Sequence, residues 1–486
     1  MRLSVFVAMQ AVVSAASLIV EIVAGRMLAP YVGMSLYTWT SVIAVVLAGF
    51  SVGHWIGGRL AERAPRAALA ANGWAMVAAA LTTAGAVFVL RASAGPVLGV
   101  IENPVAAIVA ICFAAFFLPS VFAGIPAPIL TQIAVARAGA QSGRALGAMF
   151  AAGAVGAIAG TLLAGFVFIS WLGSVGTLAA VTVIYAAIAA ISFSLAGRER
   201  APGMIAAAAA LLLGGAAAAL PGPCLRESQY FCIRTDDLDP REGQRQRLLV
   251  LDHLVHGISD EADPQAMLTP HGAILDGLTR HRMEGREFSA FFIGGGSFTL
   301  PRAWADITSR QVVAEIDPEV TRIATEKFWF SPDMAETRAV DARIALLQDP
   351  ARYDVIVGDA FTDIAVPPHL ITREFFQLAR SRLNDDGVFV MNVIDRMDRL
   401  ELVGALYHTM KTAFPTVELW AEPVAHSENR RIFILMGAQS PTDRPVIGQI
   451  AQRVSEGAMA RMAAARAPLM LTDDHAPIER LLGSLR

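Results

Sequence analysis

The stretch Phe-Ser-Ala-Phe-Phe-Ile-Gly-Gly-Gly-Ser at residues 288–297 decides the fold of the C-terminal half. Its first six residues are mainly apolar and predict a buried strand, which runs straight into a turn made of Gly294, Gly295 and Gly296. Such a turn lets a ligand approach the backbone closely, in front of a helix predicted near 301–306. Glycine turns are common, so this stretch alone is a weak indication of a ligand site.

The following strand strengthens that indication. Residues 312–317 read Val-Val-Ala-Glu-Ile-Asp and supply two acids, Glu315 and Asp317, about 20 residues after the glycines. Nucleotide-binding folds place a carboxylate at this distance, against the hydroxyls of a ribose. The pattern therefore favours a nucleoside site.

The alternation of strands and helices continues beyond this point. A third element at 340–342 carries Asp341, an apolar strand at 353–358 is followed by Asp359, and a helix at 372–383 precedes a strand at 387–393. This order predicts a parallel sheet whose ligands bind beyond the carboxyl ends of the strands, where the acids would meet. Alternatively, these acids cap helices or lie in solvated loops.

The N-terminal half has a different composition. The first aspartate is Asp236 and the first lysine is Lys327, and the preceding sequence contains apolar runs of the roughly 20 residues that a helix needs to cross a bilayer. We expect a multi-pass membrane domain at 1–222, a β-hairpin and linker at 223–285, and an α/β domain at 286–486. The expected spans are seven, including a retained first helix: 4–25, 37–58, 67–90, 104–130, 145–170, 174–196 and 202–220.

Arginines predict the orientation of these spans. We expect the protein to lie in the cell (inner) membrane. The arginines cluster in alternate loops, which the positive-inside rule places on the cytoplasmic side. Seven crossings would leave the C-terminal half outside, where Cys224 and Cys232 could form a disulfide. The arginines concerned are Arg59, Arg63, Arg66, Arg137, Arg144, Arg198 and Arg200.

Several residues inside the spans suggest packing or function. Glycines at every fourth position predict close helix contacts, and Pro119, Pro126 and Pro128 predict a kink in the fourth span. Glu21 and His54 are costly in hydrocarbon unless they face a cavity or a partner. They indicate a transport or substrate-access role, or Glu21 pairs with a nearby arginine such as Arg26. The glycines are Gly49, Gly53, Gly57, Gly156 and Gly160.

The ordered set of motifs resembles the spermidine synthase (polyamine aminopropyltransferase) family. The resemblance covers roughly residues 225–440 and rests on the glycine turn, Val-Ala-Glu-Ile-Asp at 313–317, Asp-Ala at 341–342, Asp-Val-Ile-Val-Gly-Asp at 354–359 and Arg-Glu-Phe-Phe at 373–376. The whole chain resembles the membrane-fused branch, in which a transporter-like helical unit precedes the synthase. It implies a Rossmann-like methyltransferase-type fold that takes decarboxylated S-adenosylmethionine as co-substrate, with no tightly bound cofactor and no metal.

The resemblance also implies roles for individual residues. The glycines would flank the nucleoside, Glu315 would bind the ribose hydroxyls with Asp317 beside it, and Asp341 would accept a hydrogen bond from the adenine amino group. His256 stands where the family usually has a glutamine that contacts the nucleoside.

Two aspartates lie in the loop that holds the family's catalytic aspartate. An attacking amine must be unprotonated, whereas free amines are mostly cations at neutral pH, so a nearby carboxylate can attract the amine and accept its proton. We assign positioning to Asp359 and the role of base to Asp363, although the two roles can be exchanged. The loop is one residue longer than is usual in the family, and the family's acid after the glycines is replaced by Ser297-Phe298-Thr299.

Other functions remain open at this point. The net charge of −3 and the scattered arginines exclude a basic nucleic-acid surface. The same fold suits an S-adenosylmethionine-dependent methyltransferase, and the polar residues of the spans suit a transporter or sensor that binds a polyamine or nucleoside without turnover. Soluble relatives often form dimers, which leaves a homodimer open. The expected partners are thus a small amine and the lipid bilayer, and the side of the membrane is unsettled because adenosyl sulfonium donors are made inside cells.

Overall fold

A computed structural model of the chain describes residues 3–197, 201–238, 245–360, 366–423, 429–455, 457 and 469–482. The chain divides after Cys232 into two compact units. We call residues 3–232 the helical unit and residues 233–482 the α/β unit. This division lies ten residues beyond the predicted end of the membrane domain at 222.

The helical unit contains eight α-helices within the described ranges. They are α1 (Leu3–Val32), α2 (Leu36–Ala61), α3 (Pro65–Val100), α4 (Pro104–Gly124), α5 (Pro126–Ala138), α6 (Ser142–Leu163), α7 (Ile169–Ala196) and α8 (Ala201–Ala219). A π-helical turn, Ala164–Phe168, joins α6 to α7, and Gly173 interrupts α7 with a φ of 68°. The short strand β1 (Arg226–Glu227) follows α8.

Much of this unit is apolar enough to lie in a membrane. By length and composition, α1, α2, α3 and the helical run Pro104–Ala196 can each cross a bilayer, and α8 contributes the shorter apolar stretch Gly203–Ala219. The predicted interruption of the fourth span is confirmed, because α4 ends at Gly124 and α5 begins at Pro126. The count of seven spans stays a prediction.

Glycines bring helix backbones into direct contact, as their spacing predicts. A Cβ atom on Gly53 would lie 2.1 Å from the carbonyl oxygen of Val121, and one on Gly156 would lie 2.1 Å from that of Ala11. Such approaches exclude any side chain. The small residues therefore join α2 to α4 and α6 to α1.

The α/β unit begins with an antiparallel meander. Strands β2 (Cys232–Leu238), β3 (Gln246–Leu251) and β4 (Leu254–Asp260) pair in sequence, with Ile233 opposite Leu251 in the first pair. The predicted hairpin is thus confirmed, and the structure adds a third strand to it.

A nine-stranded mixed sheet forms the body of the unit, in the order β12-β13-β10-β11-β9-β8-β5-β6-β7. Strands β7, β6, β5, β8 and β9 are parallel neighbours, and the remaining strands are antiparallel. The strands are β5 (Phe288–Ile293), β6 (Thr308–Ala314), β7 (Glu336–Arg338), β8 (Tyr353–Gly358), β9 (Leu383–Arg396), β10 (Thr416–Ala421), β11 (Arg430–Ala438), β12 (Val446–Ile447) and β13 (Ala451–Arg453).

Helices connect these strands, and the central strands are almost wholly buried, as is usual for a parallel sheet covered on both faces. Two details correct the expectation from sequence. The third strand is β7, before Asp341, and residues beyond 393 add antiparallel strands to the sheet. The helices are α9 (Pro270–Met283), α10 (Thr299–Ala303), α11 (Pro318–Lys327), α12 (Ala342–Gln348), α13 (Arg373–Ser381), α14 (Glu401–Met410) and α15 (Ile478–Leu482).

Candidate active site

Four adjacent parallel strands deliver the predicted site residues to one edge of the sheet. The strands lie side by side in the order β8, β5, β6, β7. Along the chain, Asp359 comes directly after β8, the glycine turn after β5 and Glu315 after β6, and Asp341 lies three residues after the end of β7. Parallel strands end on the same side, so the connections after them share one rim. The strand ends that carry these residues therefore lie along one edge of the sheet, as the sequence predicts.

The glycine turn is built so that only glycine fits. Gly294 has a φ of +89° and Gly296 a φ of +53°, a region that other residues rarely adopt. A Cβ atom on Gly294 would also lie 2.8 Å from the carbonyl oxygen of Asp359. The turn therefore brings the end of β5 against the chain that leaves β8.

Glu315 binds the backbone of this turn. Its Oε2 accepts a hydrogen bond from the N–H of Gly295 at 2.8 Å, and its Oε1 accepts one from the N–H of Asp317 at 3.0 Å. Burial raises the pKa of Glu315, against the lowering effect of these backbone donors. The backbone of Gly296 is a further donor that lowers this pKa, so the carboxylate is held by the turn itself.

Asp317 and Asp341 both begin helices. Asp317 accepts from the N–H of Glu319 and so caps α11. Asp341 caps α12 through its Oδ1, while its Oδ2 lies 2.7 Å from Nε2 of His369. The hydrogen bond from His369 is the main cause that lowers the pKa of Asp341. Both residues thus have structural roles, and their assignment to a nucleoside stays a prediction.

A cleft opens beside the glycine turn. The polar side chains on its wall come from strand β4, from the start of α9, from the end of β8 and from the segment that leads into α10. Among its lining residues are His256, Thr269, His271, Gly294, Gly295 and Asp359. Neither Glu315 nor Asp341 is among the residues that line the cleft, although Glu315 binds the backbone N–H of Gly295, which does line it.

The Asp359 side chain is fixed by two neighbours. Its Oδ1 accepts a hydrogen bond from Nδ2 of Asn392 at 3.2 Å, and its Oδ2 lies 3.9 Å from Nε2 of His271. The side chain keeps 25% of its surface exposed, so it can meet a ligand. Asp363, predicted to be the base, lies outside the described residues.

The cleft also holds a histidine that stays neutral. Burial, followed by the charges of His271 and His253, lowers the pKa of His256 to about 4. At neutral pH its imidazole therefore presents one donor and one acceptor, as the side-chain amide of a glutamine does.

Sequence reasoning missed His271 and Asn392. Thr269 and Pro270 predict the start of a helix, and this helix would carry His271 in its first turn. Nothing local indicates that this histidine meets Asp359, because the two are brought together only by the fold. Asn392 was within a predicted strand and gave no separate signal.

Comparison with known proteins identifies transferases among the relatives. No family model matches the chain. It is 33% identical over 124 residues to a polyamine aminopropyltransferase of Vibrio vulnificus (strain CMCP6), and this alignment covers 24% of the chain and 41% of that protein. It is also 33% identical over 141 residues to an N-terminal histidine N-methyltransferase of Emericella nidulans, and this alignment covers 28% of the chain and 25% of that protein.

A third relative is a probable polyamine aminopropyl transferase of Bifidobacterium longum (strain NCC 2705), 31% identical over 30% of this chain and 33% of that protein. The chain thus spans less than half the length of these three relatives. Among solved structures, a probable spermidine synthase from Corynebacterium glutamicum ATCC 13032 aligns at a TM-score of 0.47 and 22% identity, over 54% of this chain and 99% of the other. By sequence, the chain is similar to aminopropyltransferases and to methyltransferases, both of them transferases.

Proposed function

We propose that the α/β unit transfers the aminopropyl group of decarboxylated S-adenosylmethionine to a diamine or polyamine. The observation that carries the proposal is the shared rim, where the glycine turn, the buried Glu315 and the partly exposed Asp359 follow three adjacent strands. The aminopropyltransferases among the relatives support it. As a membrane-bound enzyme, the protein would act on small amines beside the bilayer.

The residues of the rim suit the two ends of the donor. The glycine turn and Glu315 would hold the nucleoside, with the carboxylate as the acceptor for the ribose hydroxyls. The neutral His256 would contact the nucleoside as a hydrogen-bonding group without charge, which suits a donor that already carries a positive sulfonium.

The chemistry is a displacement at carbon. The lone pair of the amine nitrogen forms a bond to the methylene carbon next to the sulfonium, and the carbon–sulfur bond breaks, leaving its electron pair on sulfur as the neutral thioether of methylthioadenosine. The amine must first lose a proton, which a carboxylate accepts. Asp359 would align the amine and Asp363 would take the proton.

Replacement of Asp359 tests this assignment. We expect Asp359→Asn to lower the release of methylthioadenosine by about 10²-fold, since the uncharged amide no longer attracts and aligns the cationic amine. The measurement is mass spectrometry of the purified full-length protein, incubated with decarboxylated S-adenosylmethionine and a panel of diamines.

Asp443→Asn is the matched control, because Asp443 also pairs with a histidine, His281, but is 71% exposed on the surface. We expect this variant to keep its activity. Failure of the unchanged protein both to release methylthioadenosine and to bind the nucleoside in calorimetry would contradict the proposal.

A methyltransferase is the second candidate, favoured by the histidine N-methyltransferase and the eEF1A lysine and N-terminal methyltransferase among the relatives. The same rim would then hold S-adenosylmethionine, and the methyl carbon would be attacked. Release of S-adenosylhomocysteine from S-adenosylmethionine, in place of methylthioadenosine from the decarboxylated donor, distinguishes the two activities.

We also propose that the α/β unit lies outside the cytoplasm. The arginine clusters support this side, as does the disulfide between Cys224 and Cys232, since disulfides persist in oxidising compartments. Alkaline phosphatase and green fluorescent protein fused after residue 225 report the side in cells. We expect the phosphatase to be active and the fluorescent protein dark; the reverse result would place the unit inside, where the donor is made.

A further inference from the structure

Five arginines of the helical unit have no part in the proposed reaction, and all five are exposed. Within the described part of the chain, no hydrogen bond or ion pair links their side chains to a carboxylate or to a carbonyl group. We call these five residues the basic end. They are Arg59, Arg63, Arg66, Arg137 and Arg144.

Helices α1 and α2 place Arg59 at one end of the helical unit. The two helices are joined by a short turn, and a Cβ atom on Gly25 of α1 would lie 3.1 Å from the ring of Trp39 in α2. Phe6 precedes Gly25 by 19 residues, and Arg59 follows Trp39 by 20 residues. At about 1.5 Å per residue, both lie roughly 30 Å along their helices from this contact. Arg59 therefore lies at the same end of the unit as the start of α1.

Three further arginines lie at this end. Arg63 and Arg66 follow α2 directly, in the loop to α3 and in the first turn of α3. Arg137 is in the last turn of α5, and its guanidinium carbon lies 5.6 Å from the ring centre of Phe6. The ends of α2 and α5 thus meet beside the start of α1.

Helix α6 brings the fifth arginine to the same place. A Cβ atom on Gly156 would meet the carbonyl oxygen of Ala11, and one on Gly160, a turn later, would meet that of Ala15. The contacts advance together along both helices, so α6 and α1 run in the same direction. Arg144, in the first turn of α6, therefore lies near the start of α1.

The charge of this end is strongly positive. Glu62 is the single acid in the two stretches that carry the arginines, 59–66 and 137–144. A cluster of like charges that lacks counter-charges of its own attracts anions. The partner of the basic end is therefore an anionic molecule.

An exposed aromatic ring separates this charge from the apolar surface of the unit. The guanidinium carbon of Arg59 lies 3.7 Å from the ring centre of Trp55, which is 60% exposed. Further from the basic end, Leu47 on the same helix is also exposed. Tryptophan prefers the headgroup level of a bilayer, with hydrocarbon on one side and water on the other. The arginines thus lie where the phosphate groups of lipids would lie.

We propose that the basic end binds the phosphate groups of anionic lipids in the leaflet that faces it. The inference rests on the proposed membrane location of the helical unit. The planar fork of N–H donors on an arginine matches the oxygens of a phosphate. A soluble polyanion would meet the charges but not the exposed Trp55 and Leu47 beside them.

Quenching of tryptophan fluorescence by brominated lipids tests the proposal. The full-length protein is reconstituted in phosphatidylcholine with increasing amounts of brominated phosphatidylglycerol or, as the neutral reference, brominated phosphatidylcholine. The two titrations give the ratio of the binding constants. We expect the unchanged protein to prefer phosphatidylglycerol and Trp55→Phe to lose the preferential part of the quenching.

The double variant Arg63→Gln/Arg66→Gln removes two charges without touching the ring of Trp55. We expect its preference to fall severalfold, since each basic side chain near an anionic membrane surface favours the anionic lipid by about fivefold. Arg245→Gln/Arg444→Gln is the matched control, because it removes two exposed arginines of the α/β unit. This control should keep the full preference.

Equal binding of the two lipids by the unchanged protein, or an undiminished preference in Arg63→Gln/Arg66→Gln or in Trp55→Phe, would overturn the proposal. Release of the lipid by inorganic phosphate at an equal concentration would also overturn it, because the ligand would then be a soluble anion. A protein that stays in solution without detergent would refute the membrane location, and with it this inference.

Discussion

Histidine at position 256 makes the candidate site sensitive to acid. Its pKa lies at about 4 in the folded protein, below its ordinary value of 6.5, chiefly because the imidazole is buried. Between these two values the unfolded chain binds a proton that the folded chain does not. The free energy of unfolding must therefore fall as the pH drops from 6.5 toward 4.

Replacement of His256 by glutamine should remove this part of the acid sensitivity. We expect the free energy of unfolding of His256→Gln to fall less between pH 6.5 and pH 4.5 than that of the unchanged protein, by about 2 kcal/mol, which a smaller drop in the unfolding temperature reports. Differential scanning fluorimetry of the full-length protein measures it. If the variant loses stability as steeply as the unchanged protein over this range, His256 is not the group responsible.

The glycine turn gives a second prediction for single residues. Gly294→Ala should destabilise the protein by about 1–3 kcal/mol and weaken nucleoside binding, because its φ of +89° is strained for alanine and the new Cβ would press on the Asp359 carbonyl. Gly285→Ala is the control, since Gly285 has a φ of +75° with nothing within 4 Å. The Gly285→Ala variant should suffer only the backbone strain and bind the nucleoside normally in calorimetry. An equal loss of binding in both variants would contradict the role of the contact between residue 294 and the Asp359 carbonyl.

Single residues also mark the limit of what the sequence can predict. Glu315 and Asp359 were predictable because each follows an apolar strand, and strand ends are visible in the pattern of side chains. The partners of these acids were not. Asp341 meets His369, 28 positions away, and such a pairing depends on how separate segments pack.

At the level of elements, the parallel part of the sheet was predictable and the antiparallel part was not. Strands β5, β6 and β8 are short apolar runs followed by glycine or acids, which is a local signal. Strand β11 pairs with β10 on one side and with β9 on the other, through backbone hydrogen bonds that no sequence motif predicts. The strand before Asp341 was placed too late, because β7 reads Glu-Thr-Arg and lacks apolar residues.

Helix α6 offers a prediction for an element. Gly156→Ala should destabilise the helical unit, because the new Cβ would lie 2.1 Å from the carbonyl oxygen of Ala11 and α1 would have to move. Gly147→Ala, on the same helix with nothing within 4 Å, should be neutral or stabilise by about 0.5–1 kcal/mol through its helix propensity. Thermal unfolding in detergent compares the two, and an equal effect of both would argue against close packing at Gly156.

At the scale of the whole molecule, composition divides the chain and contacts place the division. The apolar runs before Asp236 and the alternating pattern after Phe288 predict two differently solvated parts. The exact division was not predictable, because residues 226–231 are polar and look like the start of the second part. In the structure, Glu227 accepts from the N–H of Ser174, and Arg26 binds two carbonyl groups of the same segment, so these residues belong to the helical unit.

Those bonds decide how the protein can be separated for study. A fragment that starts at residue 223 would contain residues 226–231 and remove them from the helical unit. The buried Arg26 would then lose its carbonyl acceptors, which would lower the stability of the helical unit by several kcal/mol. Cutting the gene after the codon for Cys232 keeps the arginine satisfied and both cysteines together. Expression of the two pieces on their own should therefore succeed at this later junction and fail at the earlier one.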